Sequence, residues 1–123
     1  MKVKAITNEL LSMFSDAKRE YRTPDGTRID VAVPSKGLAI ELESTYSWID
    51  RRVLFDAIKA KRAGFTDLVI IYPFNDNVIQ RSWTIKYVQE LGVNLRIIKP
   101  AEISKLLETK EIKEPKIEKI KLK

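Results

Sequence analysis

Residues 39–43 read AIELE, which sets Glu41 and Glu43 two residues apart inside an otherwise apolar run. On an extended strand that spacing puts both carboxylates on one face. Earlier in the chain, Asp30 stands in RIDVAV. Alternation predicts Ile29, Val31 and Val33 on one face there, with Arg28, Asp30 and Ala32 on the other. If the intervening PSKG is a turn, the two strands pair and Asp30 becomes a near neighbour of Glu41. Only the small Ala32 and Ala39 share that face. Two carboxylates that close repel unless a cation sits between them. Mg²⁺ is commonly held by one or two carboxylates plus water and substrate phosphate, so the chemistry indicated is metal-assisted phosphodiester hydrolysis. A solvated edge-strand face, or a surface pair of Asp30 with Arg28 or Arg51, accounts for the same acids without any chemistry.

Composition narrows the alternatives. The 123 residues make one domain with one core. His and Cys are both absent, which excludes disulfides, zinc sites, thiol nucleophiles and imidazole bases. Catalysis must then run on carboxylates, Lys, Tyr, Ser or Thr, and a metal must be a hard ion such as Mg²⁺ or Mn²⁺. Abundant Lys, Glu and Ile is a thermophile-like composition. No apolar run approaches the ~18 residues of a membrane span and no signal-peptide pattern is present, so a cytoplasmic protein without membrane association is expected. The net charge of +6 and pI near 9.5 favour a polyanionic partner such as DNA. Half of that excess lies in the last residues, 110–123, with six Lys against three Glu.

The elements that must position the acids follow from periodicity. Ile6, Leu10, Phe14 and Ala17 predict an amphipathic helix over residues 3–20. YRTPDGTRIDVAV, PSKG and LAIELE predict three strands of an antiparallel meander, with turns at PDG and PSKG. A helix over about 48–63 stops at Gly64. It carries Arg52, Asp56 and Lys59 on one polar stripe, opposite Ile49, Val53, Ala57 and Ala60. DLVIIYP predicts a strand buried on both faces, as in parallel pairing. One helix capped by Asp76 or Asn77 is expected to run to Gly92, followed by the strand NLRII and a helical stretch AEISKLLE after Pro100. The sum is an α/β domain around a mixed sheet, residues 1–108, with a basic C-terminal tail, 109–123.

A helix bearing an acid, an Asp on the second strand and an acid-x-acid on the third, followed by helix and buried strand, resembles the PD-(D/E)XK nuclease superfamily. Its small archaeal Holliday junction resolvases and archaeal viral or plasmid nucleases are the nearest in pattern. The resemblance spans residues 3 to about 72. It implies a restriction endonuclease-like αβββαβ core with helices flanking a mixed central sheet. It implies Asp30 and Glu41 as ligands of Mg²⁺ or Mn²⁺, with Glu9 completing or orienting the site. Glu43 occupies the position where the family usually has Lys. Some restriction endonucleases of the superfamily have Glu there and remain active, so Glu43 is a candidate base or second ligand. Alternatively Lys59, preferred over Lys36 in the turn, replaces the missing amine from the following helix.

The implied activity is a metal-dependent DNA endonuclease, including branched or junction DNA among its substrates. Two other readings stay open: a nuclease-fold module that binds nucleic acid without cutting, and a protein-interaction subunit. Apolar stripes Val78/Ile85/Val88 and Ile79/Trp83/Tyr87 lie on the helix from Asn77, and the second predicts a homodimer surface. The tail KIEKIKLK is read as a basic arm for phosphate or a late strand.

Overall fold

Gly37 sets the central hairpin. The computed structural model describes residues 1–107; the tail 109–123 and the end of AEISKLLE lie outside the described residues. Pro34–Lys36 forms one 3-10 turn, closed by Gly37 in the left-handed region at φ 60°. A Cβ there would stand 2.9 Å from Thr66 Oγ1, so glycine is required twice over, by conformation and by space. This turn joins β2 (Arg28–Val33) to β3 (Leu38–Leu42) antiparallel, with Ala32 opposite Ala39 and Val31 opposite Ile40.

The other strands extend the sheet on both sides. β1 (Lys18–Arg22) pairs antiparallel outside β2, and its Lys18, Arg19, Glu20 and Arg22 are all exposed. β4 (Asp67–Ile71) and β5 (Asn94–Ile98) pair parallel on the far side of β3. The order β1-β2-β3-β4-β5 makes a five-stranded mixed sheet, and the domain is α/β. Parallel neighbours need crossovers. α2 (Ile49–Arg62) carries the chain from β3 to β4, while α3 (Asn77–Gln80) and α4 (Thr84–Leu91) carry it from β4 to β5. Among the described residues no helix is long and apolar enough to cross a membrane.

Each sheet face has its own core. α1 (Val3–Met13) lays Ile6 and Leu10, with Phe14 beyond its end, over Val31, Val33, Ile40, Val69 and Ile71. α2 packs Ile49, Val53, Ala57 and Ala60 over Ala32, Ala39, Leu68 and Ile70. Leu10, Val31, Ile40 and Ile71 are wholly buried, each contributing roughly 1.5–3 kcal/mol over its exposed state.

The structure departs from the periodicity in four places. α1 ends at Met13 rather than near residue 20, because Phe14 turns extended and Asp16 is tied to the hairpin turn. There Asp16 accepts the Ser35 N–H at 2.7 Å and its hydroxyl at 2.9 Å. Ile29 packs on the α2 side with Ala32, while Val31 and Val33 pack on the α1 side, so strict alternation fails between Ile29 and Val31. Opposite that break Glu20 adopts φ 49°, and the kink turns Tyr21 and Ile29 to the α2 face together. The helix expected from Asn77 to Gly92 is two helices. Ser82 accepts the Thr84 N–H at 3.2 Å and donates to Asp50 at 2.7 Å, and the chain restarts there as α4. The helical stretch after Pro100 comes in two pieces, a 3-10 turn, Pro100–Glu102, and helical residues 105–107, with Ile103 and Leu106 buried on the α1 side.

Candidate active site

The register of the β2–β3 hairpin determines which acids meet. Backbone pairing of these strands ends at Val31–Ile40, and the next residues, Asp30 and Glu41, carry the contact with their side chains. The Asp30 N–H donates to Glu41 Oε1 at 3.3 Å, and the Leu42 N–H donates to Asp30 Oδ2 at 2.8 Å. On its other side β3 stays paired: Glu41 lies opposite Ile70, Leu42 opposite Ile71, and the Glu43 N–H reaches the Ile71 carbonyl at 3.0 Å. The acids therefore lie at a fork, where β2 parts from β3 while β4 holds on.

α2 closes the fork from above. Its apolar residues sit on the sheet, and the neighbouring stripe brings Asp56 and Lys59 down onto Glu41. Lys59 Nζ is 2.7 Å from Glu41 Oε2 and 3.8 Å from Asp56 Oδ1. The contact is an ion pair. Burial is graded across the group. Asp30 is exposed, Lys59 is partly so, and Glu41 and Asp56 are 3% and 7% exposed.

Graded burial sets the protonation states. Loss of water pushes the Glu41 carboxyl up to about 8, opposed by Lys59 and reinforced by the charge of Asp30. Burial also raises Asp56, strongly, and the adjoining Glu43 carboxyl and the charge of Glu41 raise it further. Asp56 therefore resists ionisation. Its Oδ2 is buried without a hydrogen-bond partner. Partial burial works against the Lys59 ammonium, yet contact with Glu41, with Asp56 and Asp30 nearby, holds it above its ordinary pKa. Lys59 stays charged.

Compared with family descriptions, with curated proteins and with solved structures, the chain matches none. Its chemistry has to be read from its own residues.

The structure joins Asp30, Glu41, Glu43 and Lys59, four of the residues singled out from the sequence, within one group. Glu9 is not brought to them. It is exposed on α1, and it is Lys4, Thr7 and Asn8 that line, with Arg19 and Asp30, a hollow of about 310 Å³. Lys36 lies in the turn at the opposite end of the hairpin. Asp56 was missed as a site residue. Its place on the Lys59 stripe, one turn earlier, was the available signal, but an i, i+3 pair reads equally as a surface ion pair. Arg52, on the same stripe, is exposed and donates to the Ser47 carbonyl at 3.0 Å instead.

The donor set can be tested against a divalent ion. Among the described residues no three acids converge as a ready-made ligand group. Asp30 and Glu41 supply hard oxygen donors from neighbouring strands, one of them exposed, and Glu41 Oε2 has Lys59 Nζ as its near neighbour. Two carboxylates with water and phosphate completing the shell fit Mg²⁺ or Mn²⁺. Lys59 already neutralises part of the repulsion that the sequence left to a metal.

Proposed function

We propose that this protein is a Mg²⁺- or Mn²⁺-dependent endodeoxyribonuclease, with branched or junction DNA among its substrates. The observation that carries this reading is Lys59 Nζ, 2.7 Å from Glu41 Oε2 beside Asp30. An amine at the strand acid is what the AIELE sequence lacks, and α2 supplies it. Asp30 and Glu41 would hold the divalent ion, which brings Lewis-acid activation of phosphate and water.

The chain's own residues do the rest. The Lys59 ammonium, oriented by Glu41, donates to the attacking water and offsets charge developing on the phosphate. Asp56, buried with its Oδ1 3.8 Å from Lys59 Nζ, braces that amine from behind, and Glu43 adjoins Asp56. Glu43 in this arrangement is a positioning residue and not the base. The order α-β-β-β-α-β, with the first three strands antiparallel and the fourth parallel, supports the restriction endonuclease-like core that the resemblance implies. The charge of +6 supports a polyanionic substrate. Cutting both strands of DNA calls for two sites, and a C2 homodimer through the exposed Trp83 and Tyr87 would supply the second. Ile79, expected beside them, is buried in the core and takes no part.

Cleavage of supercoiled plasmid and of four-way junction DNA, with and without Mg²⁺ or Mn²⁺, tests the reading. Divalent-dependent nicking that Lys59→Ala removes is the expected result. Nicking unaffected by Lys59→Ala, or no nicking under any metal, overturns it. In the second case tight, salt-sensitive DNA binding would favour the module that binds without cutting.

A further inference from the structure

The loop that leaves the site ends in a residue that the fold does not account for. Trp48 precedes α2 at φ 54°, ψ 31°, the left-handed region where a bulky side chain is an outlier. Its backbone has a clear task, since its carbonyl accepts the N–H groups of Arg51 and Arg52 at 3.1 and 3.0 Å and so opens the helix. Gly or Asn would do this with less strain. The indole is not used for packing either, because Trp48 is 65% exposed. A strained aromatic with its ring in solvent points to a ligand.

Its surroundings indicate which ligand. The Arg51 guanidinium lies 4.5 Å over the indole, leaving a cationic, flat surface. Tyr46, 71% exposed, meets Phe74 edge to face at 5.5 Å, so a second aromatic pair stands in the loops that follow β3 and β4. Both loops leave the same end of the parallel strands that carries Glu41 and Glu43. Along α2, Trp48 is two turns before Asp56, roughly 12 Å at ~1.5 Å per residue. Arg52, exposed, lies between them on the stripe that ends at Lys59.

We propose that Trp48 with Arg51, and Tyr46 with Phe74, form a stacking platform for unpaired bases of a DNA strand whose backbone passes the Asp30–Glu41–Lys59 site. Every base has a π-face, so exposed rings grip single strands with little sequence preference, while guanidinium groups follow the phosphates. In a duplex those faces are stacked on one another and out of reach. The inference rests on the nuclease reading and narrows its substrate to flaps, bubbles, junction arms or other DNA with unpaired nucleotides next to the scissile bond.

The test uses Trp48 as its own reporter. Trp83→Phe leaves one indole, and its emission is followed in EDTA as a single-stranded oligodeoxynucleotide is added. Quenching by the oligonucleotide, no quenching by an abasic strand of equal charge, and at least tenfold weaker binding after Trp48→Asn are expected. Asn suits the left-handed backbone, so lost binding reports the ring and not the fold. Equal affinity for duplex and single strand, or an unchanged affinity after Trp48→Asn, overturns the platform. Tighter binding of the matching RNA strand overturns the choice of DNA. Cleavage that proceeds with an unquenched Trp48 rejects the platform and spares the nuclease. Quenching without cleavage does the reverse.

Discussion

Two carboxylate clusters in this domain are built from similar residues and are driven in opposite directions. Asp25, in the turn between β1 and β2, accepts from the hydroxyls of Thr23 and Thr27 and from Arg62 Nε at 3.2 Å. The Thr23 and Thr27 hydrogen bonds hold its carboxyl well below the usual range. Glu41 and Asp56 are driven upward, because burial removes water and neighbouring acids add charge faster than Lys59 compensates. One cluster satisfies its charge locally and ties down a turn. The other leaves two buried carboxyls that resist ionisation beside a partly open fork, which a folded domain gains nothing from in isolation. Structural carboxylates have their hydrogen bonds completed by the chain; the carboxylates of this fork are left short of cation.

The largest expected effect falls on the fork. Asp30→Ala and Glu41→Ala are each predicted to lower divalent-dependent DNA cleavage by orders of magnitude, with circular dichroism unchanged. A wild-type rate in Mn²⁺ from either variant would erase the distinction between the clusters. Asp25→Asn, by contrast, is expected to cut at the normal rate.

Lys59→Ala and Glu43→Gln sharpen the division of labour inside the fork. Lys59→Ala is expected to cost about a hundredfold or more in rate, on the scale of losing one transition-state donor. Glu43→Gln is expected to cost less, because Glu43 lies behind Asp56 and not against Lys59. The reverse ranking in single-turnover kinetics would make Glu43 the base and Lys59 its support.

Acidity separates the clusters in stability as well as rate. Glu41 holds its proton more tightly folded than unfolded, so its contribution is fully present below the unfolded value near 4.5 and is lost as pH rises toward 8 and beyond. Asp25 has the opposite sign: its contribution is present above its unfolded value and lost as pH falls. Asp56 is raised in the same direction as Glu41 and adds to the same trend. In EDTA, denaturant unfolding should therefore give a stability that declines from about pH 5 to pH 9. Glu41→Gln should lessen the decline and Glu41→Gln with Asp56→Asn should flatten it, and millimolar Mg²⁺ should lessen it by favouring the ionised carboxylates. A slope that the double substitution leaves unaltered would show that the fork does not carry the effect.

The smallest effect concerns assembly. Light scattering at micromolar concentration is expected to give a dimer for the wild type and a monomer for Trp83→Glu. A monomeric wild type removes the interface, and a dimer that survives the substitution relocates it.

How far the sequence reaches depends on the range of the forces involved. The meander, the Asp30–Glu41 adjacency and the delivery of Lys59 follow from short-range rules: period two in strands, a glycine turn and a polar stripe on one helix. What escaped them was decided across the fold. Asp16 reaching Ser35 shortens α1, and Ser82 reaching Asp50 divides the helix after Asn77. Ile79 looks like a surface partner of Trp83 only while that helix is drawn unbroken. Asp56 could not be recognised as a site acid, because its raised pKa comes from burial and from Glu43 and Glu41 on β3 and beyond, not from its own neighbours in the helix. Glu9 shows the converse, an acid on the expected element but on a face turned away from the others.

The kinked outer strand has a consequence for behaviour at high concentration. An edge strand offers unpaired amides and carbonyls to any other chain that can add to the sheet. β1 is the edge on the hairpin side, and its sequence KREYR places charge at four of five positions. The left-handed Glu20 bends the strand in its middle, so a straight incoming strand cannot follow it. Runaway sheet growth from that side is blocked twice, by electrostatic repulsion and by shape. The same lysines and arginines that lend the domain its basic character thus also guard this edge of the sheet.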